Sequence, residues 1–380
     1  MDFGFSEEQR MFANEVKRFA AKEIVPRCAE HDLAARFDRK SFSKLGDFGI
    51  LGLHFPEEYG GSGADVMTTT LAGYALGATG VDSGLTLSYG AHSFLCADTI
   101  FVHGSEEQRR KYIPKLAGGE WVGAMGLTEP GAGSDAAALR TTAKKTDKGW
   151  VLNGSKMFIT NGPVADVALI YARTDAKDRH GGVSAFIVEK GRDGFSAGKP
   201  LTKMGVKASP TSELFFDDCE IPAENLVGQQ GKGFDMALQT VEWDRSALLA
   251  PMVGGMEYVL AKSARYAKER EQFGRPIAKF QATKRKLAEM KIYLEAAKGL
   301  IFRVAWCKDQ GRSLNLLQAA VAKLFVGDWS LAPSNDAMLL FGGYGFCHEY
   351  EVERFFRDCR LAPVGGGTSD IQKMIISKML

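Results

Sequence analysis

The N-terminal third of the chain repeats its apolar positions with a helical period. The segment SEEQRMFANEVKRFAAKEIV begins with Ser6, a residue type that caps helices, and carries glutamates in its first turn. Among the apolar residues that follow, Met11, Val16, Phe19 and Ala20 recur at three-to-five spacing, which favours a helix. The pattern therefore predicts mostly helices from Ser6 to about Leu116.

A different pattern occupies the segment from about Trp121 to Val227. Short apolar runs such as WVGAMGL, VALIYART, VSAFIVEK and ELFFDDCEI are separated by the turn signals DKG, NG, GG and DG. After GQQGKGF the helical period returns, with helices predicted from about Gly233, Lys279 and Leu314. These shifts predict an α+β protein with a helical domain over 1–120, a β domain over 121–230 and a helical domain over 231–380.

Composition and charge exclude several classes of function. The 380 residues carry 48 Lys and Arg against 46 Asp and Glu, a net charge of +2, so no basic surface for nucleic acid is expected. The six cysteines form no CxxC pair, so neither a metal site nor a disulfide framework is expected. The sequence shows no signal-peptide pattern and no apolar run long enough for a membrane helix, which favours a reducing cytoplasm.

Four glycine-containing motifs are candidates for ligand binding. MGLTEPGAGSD follows a predicted strand, KMFITNG ends in an Asn-Gly turn, REQFGRPIAKFQ interrupts a helical pattern, and FGGYGF brings backbone close to a neighbour. Each has an ordinary structural explanation when taken alone: a β-turn, a core strand, a helix hairpin or close helix packing. None matches the GxGxxG pattern of a Rossmann site.

The order of these motifs, followed by VERFFRD and GTSDIQ, resembles the acyl-CoA dehydrogenase family along the whole chain. The resemblance implies a helical N-terminal domain, a middle β-barrel or sandwich and a C-terminal four-helix bundle. It also implies noncovalently bound FAD, an acyl-CoA substrate, electron transfer to an electron-transfer flavoprotein, and a homotetramer in which a neighbouring subunit contacts FAD.

The resemblance also assigns residues to the cofactor. Phe158 stands where many relatives have Trp, and Leu339 where many have a Gln that contacts FAD. The residues that the resemblance assigns to FAD are Met125, Leu127, Thr128, Ser134, Phe158, Ile159, Thr160, Arg270, Phe273, Gln281, Gly342, Gly343, Thr368 and Asp370.

The usual base of the family is missing. Removing a Cα proton from a thioester requires an aligned carboxylate, which most relatives place just before the Gly-Thr of the last motif, and Gly366 occupies that position. Isovaleryl and long-chain relatives carry the base instead before an arginine on the first long C-terminal helix. Here that residue is Asp244, followed by Arg245.

The apolar period of that predicted helix also favours Asp244. The residue lies three positions after Val241 and four before Leu248, on the predicted buried face, whereas Glu242 is predicted to lie on the solvated face with Arg245. The alternative is a buried carboxylate satisfied by an ion pair or by backbone donors. We therefore take Asp244 as the predicted base.

The substrate prediction rests on side-chain size. Aspartate is shorter than glutamate, and Gly366 leaves volume beside the acyl group, so a short branched or alicyclic acyl-CoA such as cyclohexanecarboxyl-CoA is expected. The predicted substrate contacts are Ser134, Ser209, Arg245 and Gly366. His92 is expected to be packed or hydrogen-bonded rather than catalytic. The alternatives are an oxidase or monooxygenase of the same fold that uses O₂, and a non-catalytic flavoprotein.

Overall fold

The N-terminal part of the protein is helical, as predicted. The structure is a computed structural model that describes residues 4–240, 243, 245–311 and 316–380. The first helix begins after Ser6, whose hydroxyl accepts from the backbone N–H of Gln9, and Gln9 caps the Ser6 N–H in return. The helices of this part are α1 (Glu7–Phe19), α2 (Val25–Leu33), α3 (Arg39–Asp47), α4 (Val66–Gly77), α5 (Ser83–Gly90), α6 (Asp98–His103) and α7 (Glu106–Ala117).

The middle of the chain forms one mixed sheet. Its strands are β1 (Gly123–Gly126), β2 (Thr142–Thr146), β3 (Gly149–Thr160), β4 (Val167–Arg173), β5 (Val183–Glu189), β6 (Phe195–Ala197), β7 (Thr211–Pro222) and β8 (Leu226–Val227). The order in the sheet is β6-β7-β3-β2-β4-β5-β8, and β1 pairs in parallel with β4. One face packs against helices of the N-terminal part, among them α7, and the other forms a separate apolar core around Trp150, Ile170 and Phe186.

Helices return after the sheet. They are α8 (Gly233–Gln239), α9 (Ala250–Glu269), α10 (Gln281–Asp309), α11 (Leu316–Trp329), α12 (Leu331–Phe341), α13 (Val352–Asp358) and α14 (Ser369–Ser377). A small hairpin, β9 (Glu271–Gln272) and β10 (Arg275–Pro276), separates α9 from α10. Helices α9 to α12 pack together, and α9 also packs on α4, so one large core joins the two helical parts. In the described part of the chain, no helix is long and apolar enough to cross a membrane.

The single long helix predicted from Gly233 is wrong. Helix α8 ends at Gln239, residues 245–249 form turns, and α9 starts at Ala250. Pro251 lies in the first turn of α9, where its missing N–H costs nothing, whereas in a continuous helix it would remove a hydrogen bond and clash with the preceding turn. The backbone N–H of Leu248 instead bonds to Trp243 O at 3.2 Å.

Because the helix is broken here, the apolar period of one continuous helix no longer supports a buried position for Asp244. Asp244 itself, with Val241, Glu242 and Leu314, lies outside the described residues. The predicted solvated face is also wrong, because Arg245 is only 4% exposed. The proposal for Asp244 therefore rests on the family resemblance and on its described neighbours.

Candidate active site

The loop after β1 presents an open surface beside the sheet. Met125, Leu127 and Thr128 are half-buried, and the predicted contact Ser134 is exposed. Glu129 and Ala132 exchange two backbone hydrogen bonds of 3.1 Å, which closes the loop into a tight turn. A Cβ added at Gly131 or Gly133 would meet no atom within 4 Å, so a ligand can approach the loop backbone closely.

A buried ion pair supports this loop, and the sequence analysis missed it. Lys156, from β3, is fully buried and its Nζ lies 2.7 Å from Glu129 Oε1. Burial lowers the pKa of Lys156 to about 8, against the opposing effect of Glu129. Burial also raises the pKa of Glu129, but the charge of Lys156 and several hydrogen bonds hold that pKa below its usual value. The signal available in the sequence was a lysine inside the motif KMFITNG and a glutamate inside TEPGAGSD.

A β-bulge in β3 turns Phe158 outward. The pairing of β3 with β7 is irregular between Lys156 and Ile159, and Phe158 takes the left-handed conformation with φ +60°. Its ring is 63% exposed although the flanking strand is largely buried. Thr160 is half-buried on the same strand. An exposed aromatic ring held in an uncommon backbone conformation is a suitable surface for a flat ligand.

Ile159 does not share this surface. Its side chain is 2% exposed and packs in the apolar core of the sheet, so the predicted contact of Ile159 with FAD stays a prediction that involves its backbone. The alternation of side chains along a strand explains the difference, because neighbours of an outward-facing residue point inward.

Two buried polar side chains hold β1 in place. Asn161, with φ +66°, donates from Nδ2 to Ser88 O at 2.9 Å and to Gly123 O at 3.0 Å. His92 Nδ1 accepts from the Gly123 N–H at 2.8 Å, while its Nε2 lies 3.0 Å from Leu116 O. Nε2 therefore carries the proton and the ring is neutral. Burial lowers the pKa of His92 to about 4, so its role is structural, as expected.

A second open region lies in the C-terminal part. It is a cavity of about 430 Å³ lined by three of the residues predicted to contact FAD, Arg270, Gly342 and Gly343. Leu339, where many relatives have a Gln that contacts FAD, also lines it. Gly342 has φ +60°, and added Cβ atoms at Gly342 and Gly343 would meet no atom within 4 Å. The lining residues are Tyr266, Arg270, Gln272, Ile277, Leu339, Leu340, Phe341, Gly342, Gly343, Tyr344 and Cys347.

The residues that line this cavity fit a ligand that carries an anionic group and an aromatic ring. Arg270 lies at the end of α9, half-buried, with its guanidinium 5.6 Å from the centre of the Tyr344 ring. Guanidinium groups pair with phosphate oxygens, and glycines allow close approach to backbone. Every lining residue lies between 266 and 347, so the loop after β1 and Phe158 are not part of this cavity.

The hairpin beside the cavity is strongly exposed. Phe273, at its tip, has φ +53° and is 93% exposed. Gln281 is the exposed first residue of α10. Neither residue lines the cavity within one chain.

The C-terminal loop is ordered by two buried side chains. Lys323 Nζ donates to Ala362 O at 2.6 Å and to Gly367 O at 2.7 Å, and Gln372 Nε2 donates to Gly367 O at 3.2 Å. Gly366, at the position of the family's usual base, has φ +63°. A side chain at this position would adopt a conformation that L-residues rarely take.

The two predicted cofactor residues that follow differ in their environment. Thr368 caps α14, and its hydroxyl accepts from the N–H of Ile371 at 3.3 Å. Asp370 is 94% exposed in its side chain and lies 3.5 Å from Lys373 Nζ. Thr368 and Asp370 therefore lie at a helix N-terminus, as predicted, with Asp370 directed to the surface.

Ser209 does not face the solvent. Its side chain is fully buried, and its hydroxyl accepts from Ser88 Oγ at 3.0 Å. The Ser209 side chain is thus engaged inside the protein, and its position beside the CoA diphosphate stays a prediction. The segment KASPTSELFF carried no signal for this burial, because Ser88 comes from a distant helix.

Trp243, the described residue before the predicted base in sequence, packs against aromatic rings. Trp243 is 6% exposed and stacks on Phe94 at 5.2 Å with an interplanar angle of 10°. His54 also contacts the Trp243 ring, at 4.7 Å. Together with the buried Arg245, these neighbours place the backbone on both sides of Asp244 inside the protein.

Comparison with known proteins agrees with this architecture. Three domain models match in sequence: "Acyl-CoA dehydrogenase, N-terminal domain" over residues 6–120, "Acyl-CoA dehydrogenase, middle domain" over residues 124–219 and "Acyl-CoA dehydrogenase, C-terminal domain" over residues 231–380.

Individual relatives match along their whole length. The short-chain specific acyl-CoA dehydrogenase of Clostridium acetobutylicum is 42% identical, with 99% of each chain covered. The mitochondrial isovaleryl-CoA dehydrogenase of Oryza sativa subsp. japonica is 39% identical, covering 99% of this chain and 92% of the relative.

The solved structure of butyryl-CoA dehydrogenase from Megasphaera elsdenii superposes with a TM-score of 0.95 at 39% identity, covering 100% of this chain and 99% of that one. A structure of PigA with FAD and proline gives a TM-score of 0.97 at 33% identity, with coverages of 100% and 99%. The chain is therefore an enzyme of the acyl-CoA dehydrogenase family.

Proposed function

We propose that this enzyme is an FAD-dependent acyl-CoA dehydrogenase that introduces an α,β double bond into a short branched or alicyclic acyl-CoA, with Asp244 as the base. The observation that carries the proposal is Gly366, which replaces the family's usual glutamate and adopts a left-handed backbone conformation on a well-anchored loop. A glutamate at this position would need a strained backbone conformation, and the chain has a glycine there instead. We therefore assign the removal of the proton to another carboxylate.

The open surfaces support FAD as the cofactor. The exposed ring of Phe158 and the loop from Leu127 to Ser134 provide an aromatic face and accessible backbone, and the cavity at Gly342 and Gly343 provides a cation at Arg270. When bound, FAD accepts the hydride that leaves the substrate's Cβ. Met125, Thr128, Thr160 and Thr368 are the further positions proposed to contact it.

Asp244 would remove the proton from the substrate's Cα. The described residues on either side of this position, Trp243 and Arg245, are buried. A base must come within about 3 to 3.5 Å of its proton, and aspartate reaches less far than glutamate. An acyl group that is broad near Cα, such as cyclohexanecarboxyl, suits this shorter reach and the volume left by Gly366. Ser134 and Arg245 remain proposed contacts of the thioester or CoA.

The separation of the two open regions supports an oligomer. The cavity around Arg270 contains no residue of the middle sheet, and the neighbouring hairpin exposes Phe273 almost completely. We propose that a second copy of the chain completes the FAD site, with Phe273 and Gln281 reaching the partner's cofactor in a homotetramer. An electron-transfer flavoprotein is the proposed electron acceptor. Sedimentation of the purified protein tests the homotetramer. The rate at which that acceptor reoxidises the reduced enzyme, compared with the rate in air, tests the acceptor and separates a dehydrogenase from an oxidase.

The decisive experiment is anaerobic reduction of the bound flavin by a panel of thioesters. Cyclohexanecarboxyl-CoA and isobutyryl-CoA are expected to reduce the flavin faster than octanoyl-CoA, and a clear preference for octanoyl-CoA would contradict the substrate proposal. Asp244→Asn is expected to slow reduction by at least about 100-fold because general-base catalysis is lost. Glu242→Gln is the matched control, which also removes one carboxylate and is expected to reduce normally.

A second pair of variants tests the position of Gly366. Gly366→Ala is expected to slow reduction by cyclohexanecarboxyl-CoA more than by butyryl-CoA, because a methyl group would occupy the proposed acyl volume. Gly365→Ala is the control, since an added Cβ there meets Leu361 only at ordinary contact distances of 3.5 Å and above. Equal effects of Gly366→Ala on both substrates would show that this glycine does not face the acyl group.

A further inference from the structure

The Glu129–Lys156 ion pair lies deeply buried beside the loop after β1. Lys156 is fully buried and Glu129 is 7% exposed, with a separation of 2.7 Å. A buried ion pair is weak evidence for stability, because the cost of removing both charges from water offsets much of their attraction. A role in shaping the adjacent loop is therefore worth testing.

Lys156 and the residue after it in β3 orient two successive peptide groups of the loop. Lys156 Nζ also donates to Leu127 O at 3.3 Å, and the next residue of β3, Met157, donates from its backbone N–H to Thr128 O at 2.8 Å. In a trans peptide the C=O and N–H point in opposite directions, so the N–H of Thr128 points away from Lys156. Both carbonyls thus face the sheet, and the Thr128 N–H faces the opposite side.

The carboxylate anchors the loop to a second segment. Glu129 Oε2 accepts from the N–H of Arg140 at 2.6 Å, and Oε1 accepts from the N–H of Thr141 at 2.9 Å. These bonds fix the start of the loop, while Gly131, Gly133 and Ser134 on its outer side remain open.

The lysine reaches this position because β1 ends in a glycine. An added Cβ at Gly126 would lie 3.2 Å from Lys156 Cγ and 2.7 Å from Ile170 Cδ1. Gly126 therefore leaves the space through which the lysine stem passes. The loop, the strand glycine and the lysine form one unit.

We propose that Glu129 and Lys156 are positioning residues that hold the loop from Leu127 to Ser134 in the shape that binds the flavin, so that the pair determines FAD affinity beyond its effect on folding. The proposal rests on FAD being the cofactor, as argued above. A purely structural pair would change stability and FAD affinity together.

The test uses Lys156→Met, Glu129→Gln and the double variant in the full-length protein. Each is purified, stripped of flavin and compared with wild type in the dissociation constant for FAD, the thermal unfolding midpoint of the apoprotein and the absorption spectrum of the bound flavin. Each single variant leaves one buried partner uncompensated, whereas the double variant removes both charges.

The double variant separates the two roles. We expect its unfolding midpoint to recover towards wild type while its dissociation constant for FAD stays at least 10-fold weaker, with an altered flavin spectrum. A folded double variant that binds FAD within 2-fold of wild type would overturn the proposal. A double variant that does not fold would also overturn it, because the pair would then serve folding. If the wild-type apoprotein did not bind FAD, that result would instead refute the proposal that FAD is the cofactor.

Lys111→Met provides the matched control. Lys111, on helix α7, pairs with Glu189 at 2.5 Å, at the end of β5, so this ion pair also joins a lysine to the middle sheet but lies away from the loop after β1. This variant is expected to bind FAD as wild type does. A weakening equal to that of Lys156→Met would show that the loss is not specific to the loop and would count against the proposal.

Discussion

Protonation of His92 is expected to weaken the protein between about pH 6.5 and pH 4. His92 is fully buried, its Nδ1 accepts from the Gly123 N–H at the start of β1, and its Nε2 donates to Leu116 O. Protonation of Nδ1 would replace an acceptor with a second donor facing the Gly123 N–H. The strand that carries Met125 would lose one of the two side chains that anchor it.

The magnitude follows from the pKa. Burial lowers the pKa of His92 from 6.5 to about 4. The unfolded chain therefore binds the proton below about pH 6.5 and the folded protein only below about pH 4, so stability rises with pH in this window and is lost as the pH falls. Linkage gives a loss of about 2 kcal/mol between pH 7 and pH 5, and about 3 kcal/mol by pH 4.

The assay compares wild type with His92→Gln, which cannot titrate in this range. The free energy of unfolding of both apoproteins is measured by urea titration at intervals from pH 7 to pH 4. Other titrating groups are shared, so the difference between the two proteins isolates His92. We expect the advantage of wild type to shrink by about 2 kcal/mol from pH 7 to pH 5. A difference that stays constant within about 0.5 kcal/mol would refute the reasoning.

Three further substitutions give distinct expected outcomes. Phe158→Gly should raise the free energy of unfolding of the apoprotein, measured by denaturant titration, by up to about 1 kcal/mol, because glycine tolerates the left-handed conformation. The same variant should weaken FAD binding, measured by fluorescence titration, at least 10-fold. Gly343→Val should weaken FAD binding without moving the unfolding midpoint, since the added atoms enter the open cavity, and unchanged affinity would exclude this cavity as a cofactor site. Asn161→Ala should destabilise the protein by roughly 2 to 4 kcal/mol in urea titration, because the carbonyls of Ser88 and Gly123 lose a buried donor, and a loss below about 1 kcal/mol would contradict that role.

The base assignment shows the limit of a periodicity argument. The apolar spacing from Val241 to Leu248 was consistent with one helix, but a new helix begins at Ala250, with Pro251 in its first turn, and turns precede it at residues 245–249. Periodicity transfers along a chain only while the helix is unbroken. Arg245, predicted to lie on a solvated face, is buried for this reason.

The order of the motifs indicated the family by resemblance, and that resemblance implied the helix start at Thr368. The sequence alone determined the order of helical, sheet and helical parts and the cap at Ser6. These features depend on nearest neighbours along the chain: apolar periods, turn residues and caps require no distant partner. The motif glycines were also informative, because Gly342 and Gly366 take the left-handed backbone conformation that favours glycine.

Only the tertiary structure decided which polar side chains face a ligand. Ser209 is buried because Ser88 packs against it from another helix, and Lys156 is buried because Glu129 and the gap at Gly126 receive it. Phe158 faces outward because a bulge shifts the register of its strand, leaving Ile159 in the core. In each case the decisive partner is distant in sequence, and whether a polar group is exposed or buried depends on finding such a partner in three dimensions.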